Sequence, residues 1–323
     1  MAIVKVGVEV FMPYLSHSRQ ILSAVFVAGA AASLVACDVV ISQMDGEFGG
    51  GRAKAEQTYA KTFTLDGAGA TFELVNTNGA ITVEAVDGNV VDVKATITAR
   101  AGTDEAAKQA LKLFEIKEDA SASRVRIEAK VPRGRHAIDA KFTLRVPRNV
   151  KVNLRSVNGA IDITGMMASV QAETTNGGVK ARGLGSSIEA STTNGGLDIQ
   201  MAVLGPEGVT LDTTNGGIEL RLPVDAKATL AARCVNGGIS VTDLPFEKDA
   251  TSSRRRVDGK INGGGVPLKL ETVNGGVRVR LTGPDDKAGS KAGVKGSADP
   301  DRTPDRRGLR GLKALKGLGA HAS

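Results

Sequence analysis

The sequence predicts an all-β protein, and specifically a β-solenoid with rungs of about 18–21 residues. Three observations support this fold class: an Asn-Gly dipeptide recurs in one context, apolar and polar residues alternate on both sides of it, and the composition is unusual. Aromatic residues make up 3% of the 323 residues, Trp is absent and Gly occurs 40 times. A core built from Val, Ile, Leu and Ala in this way suits thin, regularly stacked layers.

The Asn-Gly dipeptide marks a corner in each repeat. After an isolated first copy at Asn78, the corners are Asn158-Gly159, Asn176-Gly177, Asn194-Gly195, Asn215-Gly216, Asn236-Gly237 and Asn274-Gly275. Consecutive Asn residues are separated by 80, 18, 18, 21, 21 and 38 positions. Such a period is the signature of a repeat architecture.

Four apolar columns accompany the corner. Six residues before each Asn, in chain order, stand Phe72, Val152, Val170, Ile188, Val209, Leu230 and Leu268, and three residues after it stand Ile81, Ile161, Val179, Leu197, Ile218, Ile239 and Val277. The positions four before and five after are apolar as well, and those between them are largely polar. This alternation predicts strand, corner, strand and a second, looser turn in every repeat.

Two interpretations of the corner remain open. Asn-Gly between alternating strands is typical of a type I′ hairpin, which would give an antiparallel meander or barrel. A solenoid is favoured because near-identical units replace one another column by column. In a solenoid, Thr174, Thr192 and Thr213 form an inward ladder that Cys234 joins, the Asn residues stack along the corner, and the corner glycines adopt positive φ.

Two insertions interrupt the repeats. Between Val91 and Val146, the residues from Thr103 onward predict a short capped helix, and SRVRIEAKVP and AKFTLRVP predict strands. Between Leu244 and Gly265, the run Arg254-Arg255-Arg256 is interpreted as a solvated loop, with an anionic ligand as the alternative.

The N-terminal segment predicts export and lipid anchoring. Ile21 to Ala36 is an uninterrupted run of apolar and small residues that is too short to span a membrane. Leu34-Val35-Ala36-Cys37 resembles the bacterial lipobox, in which the Cys is acylated and becomes the new N-terminus. An ordinary secretory signal is the alternative, and Met12 is the expected start of translation.

Four segments are therefore expected. They are a lipoprotein signal peptide over 1–36, a linker over 37–57, the repeat β domain over 58–282 and a disordered basic tail over 283–323. The formal net charge is +7, with much of the surplus in the tail. Because the tail lacks aromatics to interleave with its basic residues, no nucleic-acid partner is expected.

Three stretches resemble a known family: LRVPRNVKVNLRSVNGAIDITG, the repeated TTNGG, and INGGGVPLKLETVNGGVRVRL. They are similar to the bacterial DUF4097 family of adhesin-like envelope proteins over roughly Phe72 to Leu281. The resemblance implies a β-helix-like envelope protein, and an association of some relatives with envelope-stress signalling is also implied.

The sequence offers no catalytic constellation. After processing only His136 and His321 would remain, and no triad, phosphate loop or metal motif can be assembled around them. No cofactor is expected. The prediction is a non-catalytic, membrane-anchored protein of the bacterial cell envelope that binds an envelope protein or glycan or has a structural role. The alternatives are an envelope-stress sensor or a glycan-active β-helix enzyme, and carboxylates gathered beside a groove would favour the enzyme.

Overall fold

The computed structural model of the chain describes residues 53–66, 69–131 and 137–283. The expected signal peptide, Cys37, His136 and all but the first residue of the expected tail lie outside these residues, so the statements about them stay predictions. Within the described residues, no helix is long and apolar enough to cross a membrane.

The described residues form two large sheets and one helix. In chain order the first seven strands and the helix are β1 (Ala53–Thr64), β2 (Thr71–Asn78), β3 (Ile81–Val86), β4 (Val90–Ala101), α1 (Asp104–Lys112), β5 (Glu115–Ala120), β6 (Arg124–Lys130) and β7 (Ala137–Pro147). The next eight strands are β8 (Lys151–Asn158), β9 (Ile161–Thr164), β10 (Val170–Asn176), β11 (Val179–Leu184), β12 (Ile188–Asn194), β13 (Leu197–Met201), β14 (Val209–Asn215) and β15 (Ile218–Leu222). The last six are β16 (Ala228–Asn236), β17 (Ile239–Thr242), β18 (Phe246–Lys248), β19 (Arg256–Ile261), β20 (Val266–Asn274) and β21 (Val277–Leu281).

Each repeat contributes one strand to each sheet. The strand after the corner joins the first sheet, whose order is β1-β4-β7-β3-β9-β11-β13-β15-β21-β17. The strand before the corner joins the second sheet, whose order is β18-β19-β16-β20-β14-β12-β10-β8-β2-β6-β5. The chain therefore turns from one sheet to the other at each of the seven corner Asn-Gly dipeptides.

Equivalent strands of successive repeats pair in parallel and in register. Thr174 lies opposite Thr192, and Thr192 lies opposite Thr213. An antiparallel meander cannot produce this pairing, because its neighbouring strands run in opposite directions. The solenoid prediction is confirmed for the repeats.

The core lies between the two sheets and uses the predicted apolar columns. Of the residues in these columns, all are buried except Ile239 and Val241, which are partly buried in the terminal rung. Phe72 and Phe142 are the largest fully buried side chains, and both lie in the N-terminal half. The rest of the core consists almost entirely of Val, Ile, Leu and Ala, and burial of these side chains in regular layers supplies most of its hydrophobic stabilisation.

The last two repeats are not stacked in chain order. Strand β20 pairs with β14 on one side and with β16 on the other, and β21 likewise lies between β15 and β17. The Asn274 rung therefore inserts between the Asn215 and Asn236 rungs. The hairpin of β18 and β19 continues the second sheet beyond β16, so the Leu244–Gly265 insertion closes this end of the solenoid.

The N-terminal insertion forms the opposite end. Thr103 caps α1 by accepting a hydrogen bond from the backbone N–H of Ala106, as predicted. The two predicted strands are β6 and β7, and β4 pairs with β7 in antiparallel fashion. Strand β1 begins at Ala53, inside the segment expected to be a linker, and extends the first sheet by pairing with β4.

Candidate ligand groove

The Asn residues of the corners form a continuous hydrogen-bonded ladder. Asn176 donates through Nδ2 to Oδ1 of Asn158 at 2.7 Å, and Asn194 donates to Asn176 at 2.8 Å. The ladder runs in the spatial order Asn78, Asn158, Asn176, Asn194, Asn215, Asn274 and Asn236. This confirms the predicted stacking, and each link joins two repeats through side chains.

The first glycine of each corner is required for a different reason from the one predicted. Of the seven glycines that directly follow a corner Asn, only Gly79 has a positive φ. The six predicted corner glycines, from Gly159 to Gly275, do not, so the expectation of positive φ at these corners is wrong. A Cβ on Gly216 would instead lie 1.8 Å from the carbonyl oxygen of Gly195 in the neighbouring rung. Close stacking of backbones excludes any side chain. Positive φ occurs in the looser second turns, at Gly165, Gly183 and Gly208.

We call these seven stacked first glycines the corner column; its members are Gly79, Gly159, Gly177, Gly195, Gly216, Gly275 and Gly237. The buried threonines form hydrogen bonds to the backbone of this column from the interior of the solenoid. Thr192 donates through Oγ1 to the carbonyl of Gly177 at 2.8 Å, and Thr213 donates in the same way to Gly195 at 2.9 Å. Cys234 occupies the threonine position of its rung and is buried, as predicted.

An open groove of about 620 Å³ runs across the outer face of the first sheet, beside the corners. Its lining comes from two columns of the repeat. The second residue after each corner Asn forms the floor of the groove, and the fourth residue after that Asn forms one wall. The wall residues, in spatial order, are Asp162, Lys180, Asp198, Glu219, Arg278 and Ser240.

The groove floor consists of Gly178, Gly196, Gly217, Gly276 and Gly238, the second glycines of the Asn-Gly-Gly corners. Packing requires glycine less strictly here than in the corner column. A Cβ would be tight at Gly178, 3.0 Å from a carbonyl oxygen, and at Gly276, 3.3 Å from one. A Cβ on Gly217 would lie 3.5 Å from the nearest carbonyl oxygen, which is ordinary contact, and Ala160 occupies the same column one rung before Gly178. Five rungs about 4.8 Å apart give a floor about 19 Å long that carries no side chains.

Arg254 closes one end of the floor. From rung to rung, the residue after each floor glycine donates its N–H to the next floor carbonyl, as Val277 does to Gly238 at 3.0 Å. Ile239 continues the series by donating to the carbonyl of Arg254 at 3.3 Å. Arg254 therefore stands where the next floor residue would be, with its Nε 3.8 Å from the position of a Cβ on Gly238. Ala160 bounds the other end with a methyl group.

The wall carboxylates are held by arginines two residues further along the strands. Arg221 bonds Asp198, and its second nitrogen lies 2.9 Å from Glu219. Arg280 donates through Nε to Glu219, also at 2.9 Å. The side chain of Arg221 is only 9% exposed, so this network is largely shielded from solvent.

The network determines the charge of Glu219. Burial favours the neutral acid, but the hydrogen bond from Arg280 and the charges of Arg221, Arg280 and Arg278 outweigh it and lower the pKa of Glu219. The carboxyl is therefore ionised at neutral pH. A carboxylate held in this form is poorly suited to act as a general acid.

The described residues bring no metal cluster together, since no group of three or more His, Cys, Asp or Glu side chains could hold an ion. The carboxylates of the wall do lie beside a groove, the arrangement expected of a glycan-active enzyme. However, Asp198 and Glu219 are both bonded to Arg221, and the lowered pKa of Glu219 does not suit the proton donor that such an enzyme needs.

Sequence reasoning identified the corner residues but missed the groove. It considered Asn-Gly as one turn-forming unit. It did not consider separately the roles of the first and the second glycine of the corner. The available signal was the second glycine, which varies to Ala80 and Ala160 while the first never changes. Of the other predicted site residues, Cys37 lies outside the described residues.

Parallel rungs, an asparagine ladder and a groove across the rungs define a β-solenoid repeat protein. The DUF4097 family model, described as Toastrack, matches residues 33–280, and the chain belongs to this family. The sequence resemblance is thereby confirmed. No curated protein matches the chain.

Several solved structures are similar to part of the chain. A "putative cell adhesion protein" from Clostridium sporogenes is 11% identical, covers 70% of this chain and 100% of its own, and has a TM-score of 0.42. A "putative adhesin" from Bacteroides fragilis is 9% identical, covers 70% and 97%, and has a TM-score of 0.36. A "putative lipid binding protein" from Parabacteroides distasonis is 10% identical with the same coverages and a TM-score of 0.26. Similarity at this level carries no functional conclusion.

Proposed function

We propose that this protein is a non-catalytic, lipid-anchored protein of the bacterial cell envelope, and that its solenoid binds an extended envelope polymer in the groove. The glycine floor is the observation that supports binding. Five adjacent rungs lack a side chain at one position, although a Cβ would make ordinary contacts at Gly217 and Ala160 occupies the same column. The result is a trough open along its length, which suits a linear ligand better than a compact one.

The arginine-held carboxylates support a binding role over a catalytic one. Glycoside hydrolysis needs one carboxyl group that delivers a proton and a second that remains ionised. Glu219 has a lowered pKa and is kept as a carboxylate, and Asp198 is bonded to Arg221. Their role in this proposal is to fix the shape of the wall.

The binding proposal is tested by filling the groove. Gly217→Leu places a branched side chain in the middle of the floor, at a position whose backbone accepts a Cβ. We expect this variant to melt near the wild-type temperature and, in detergent, to lose most sedimentation with bacterial envelopes from which the membranes have been extracted, so that the lipid anchor makes no contribution. Val224→Leu, at an exposed residue outside the groove lining, is the matched control and should sediment normally. Unchanged sedimentation of a folded Gly217→Leu variant would refute the proposal.

The anchoring proposal is tested separately. Cys37→Ser removes the thiol that would receive the diacylglycerol, so we expect an unprocessed precursor and no incorporation of a fatty-acid analogue during growth. Cys234→Ser is the matched control, because Cys234 is buried in the threonine column. Equal fatty-acid labelling of Cys37→Ser and wild type would exclude Cys37 as the modified residue.

A further inference from the structure

The groove is electrostatically uneven along its length. At its centre, Asp198 and Glu219 are both engaged by arginines from the neighbouring column. Lys180 lies in register between two acidic residues, Asp162 and Asp198. The central wall is therefore neutralised from within.

The end near Arg254 differs. Arg254 and Arg278 are both exposed, and among the described residues neither side chain forms an ion pair. The register partner of Arg278 towards the Arg254 end is Ser240, which carries no charge. Its partner on the other side is Glu219, whose carboxylate is already bonded to Arg280 and Arg221. By contrast, Arg256 in the same loop is bonded to Asp258 at 2.7 Å. Two guanidinium groups at one end of the groove are thus available to a ligand.

Resting on the proposed function, we propose that the groove binds a linear acidic glycan, and that Arg278 and Arg254 bind carboxylates of that glycan. A hexopyranose unit is about as long as the spacing between rungs, about 4.8 Å, so successive units can follow successive rungs. Arg278 belongs to the β21 rung, and Arg254 lies beyond the β17 rung, two positions further along the floor. The Arg254 side chain lies over the β17 rung, with its Nε 3.8 Å from the Cβ position of Gly238, so the two guanidinium groups meet carboxylates of adjacent units.

The chemistry of arginine supports a carboxylate partner. Its planar guanidinium donates two parallel hydrogen bonds to a carboxylate, and such charge-assisted pairs are stronger than bonds between neutral groups. The glycine floor allows a sugar ring to lie against the backbone without a clash. The wall, already neutralised, neither attracts nor repels the central units strongly.

The test measures binding of a fluorescein-labelled oligogalacturonate hexamer to the purified full-length protein in detergent, by fluorescence anisotropy. The fully methyl-esterified hexamer is the matched neutral probe, since it keeps the chain and removes the charges. We expect the acidic hexamer to bind about tenfold more tightly than the ester, and Arg254→Gln and Arg278→Gln each to weaken acid binding by about tenfold. Arg256→Gln should leave binding unchanged, because Arg256 is occupied by Asp258.

The outcomes separate this inference from the proposed function. Equal binding of acid and ester, abolished by Gly217→Leu but unaffected by the arginine variants, would overturn the acidic ligand and leave the groove proposal standing. Absence of binding by both hexamers would overturn the acidic glycan, while envelope sedimentation would still decide the groove. If inorganic polyphosphate competes as well as the unlabelled acidic hexamer, recognition is by charge alone, and the glycan assignment is wrong.

Discussion

The corner column and the groove floor are adjacent in sequence and both consist of glycine, yet they are glycine for different reasons. In the corner column, every Cα approaches a carbonyl of the neighbouring rung so closely that no side chain fits. In the groove floor, a methyl group would make ordinary contacts at Gly217. Packing therefore requires glycine strictly in the first column and much less strictly in the second, which can serve a ligand.

The largest effect should come from adding a methyl group to the corner column. In Gly216→Ala the new Cβ would lie 1.8 Å from the carbonyl oxygen of Gly195, and the backbone must shift to relieve the clash. We expect a loss of about 3 kcal/mol in the free energy of unfolding, at the upper end for overpacked sites. Gly217→Ala, one residue away, should change it by less than about 1 kcal/mol. Urea denaturation of both variants measures the difference, and similar losses would contradict the distinction between the columns.

The wall of the groove should be less tolerant than its floor. Arg221→Ala leaves Asp198 and Glu219 without their shared partner in a shielded position, so we expect a loss of about 2–3 kcal/mol at pH 7. Lys269→Ala, which removes an exposed partner of Glu271, should cost less than about 1 kcal/mol. Denaturation curves for the two variants give the comparison, and an Arg221→Ala loss as small as that of Lys269→Ala would show that the wall needs no internal support.

The same arginine network predicts a pH dependence. The pKa of Glu219 is lower in the folded than in the unfolded chain, so its carboxylate stabilises the fold above the ordinary value of 4.5. That stabilisation is lost as the pH falls through the lowered pKa. Because Arg221 is part of the cause, the difference in stability between wild type and Arg221→Ala should narrow below pH 4.5. Melting temperatures measured between pH 3 and pH 7 decide this; a constant difference would exclude the mechanism.

A smaller effect is expected in the threonine column. Thr192→Val removes the hydroxyl that donates to the carbonyl of Gly177, and we expect a loss of about 1 kcal/mol. Ser156 occupies the same column, but its buried hydroxyl has no hydrogen-bond partner among the described residues. Ser156→Ala should therefore be neutral or slightly stabilising. Equal losses in thermal melts of the two variants would show that the hydroxyls matter through packing alone.

The smallest expected effect concerns the rung that has cysteine in the threonine column. Cys234→Thr restores the residue type that Thr272 has in the register-paired strand. We expect the free energy of unfolding to change by less than about 0.5 kcal/mol, because a small buried side chain replaces another. A loss above 1 kcal/mol in urea denaturation would show that this terminal rung has become specialised for cysteine.

The local sequence pattern was sufficient to predict the rung, its corner and its two buried faces. Those features depend on local alternation and on a dipeptide that recurs at fixed offsets, and both can be counted along the chain. The helix beginning after Thr103 was predictable for the same reason, since a cap and an apolar pattern lie within nine residues. The stacked Asn and Thr columns follow once identical units are placed in register.

The order of the rungs and the roles of the two corner glycines depend on contacts between rungs, which appear only in the folded protein. Nothing local requires the Asn274 rung to insert between those of Asn215 and Asn236, because parallel pairing joins strands that are distant in the chain. The groove shares this origin: its floor comes from five rungs, and Arg254 joins it through an insertion that folds back onto the last one. The requirement for glycine at the first corner position could not be predicted from one repeat either, because the excluded Cβ would clash with a neighbouring rung and not with the residue's own backbone. Distances between rungs are properties of the assembled solenoid, and a single repeat does not contain them.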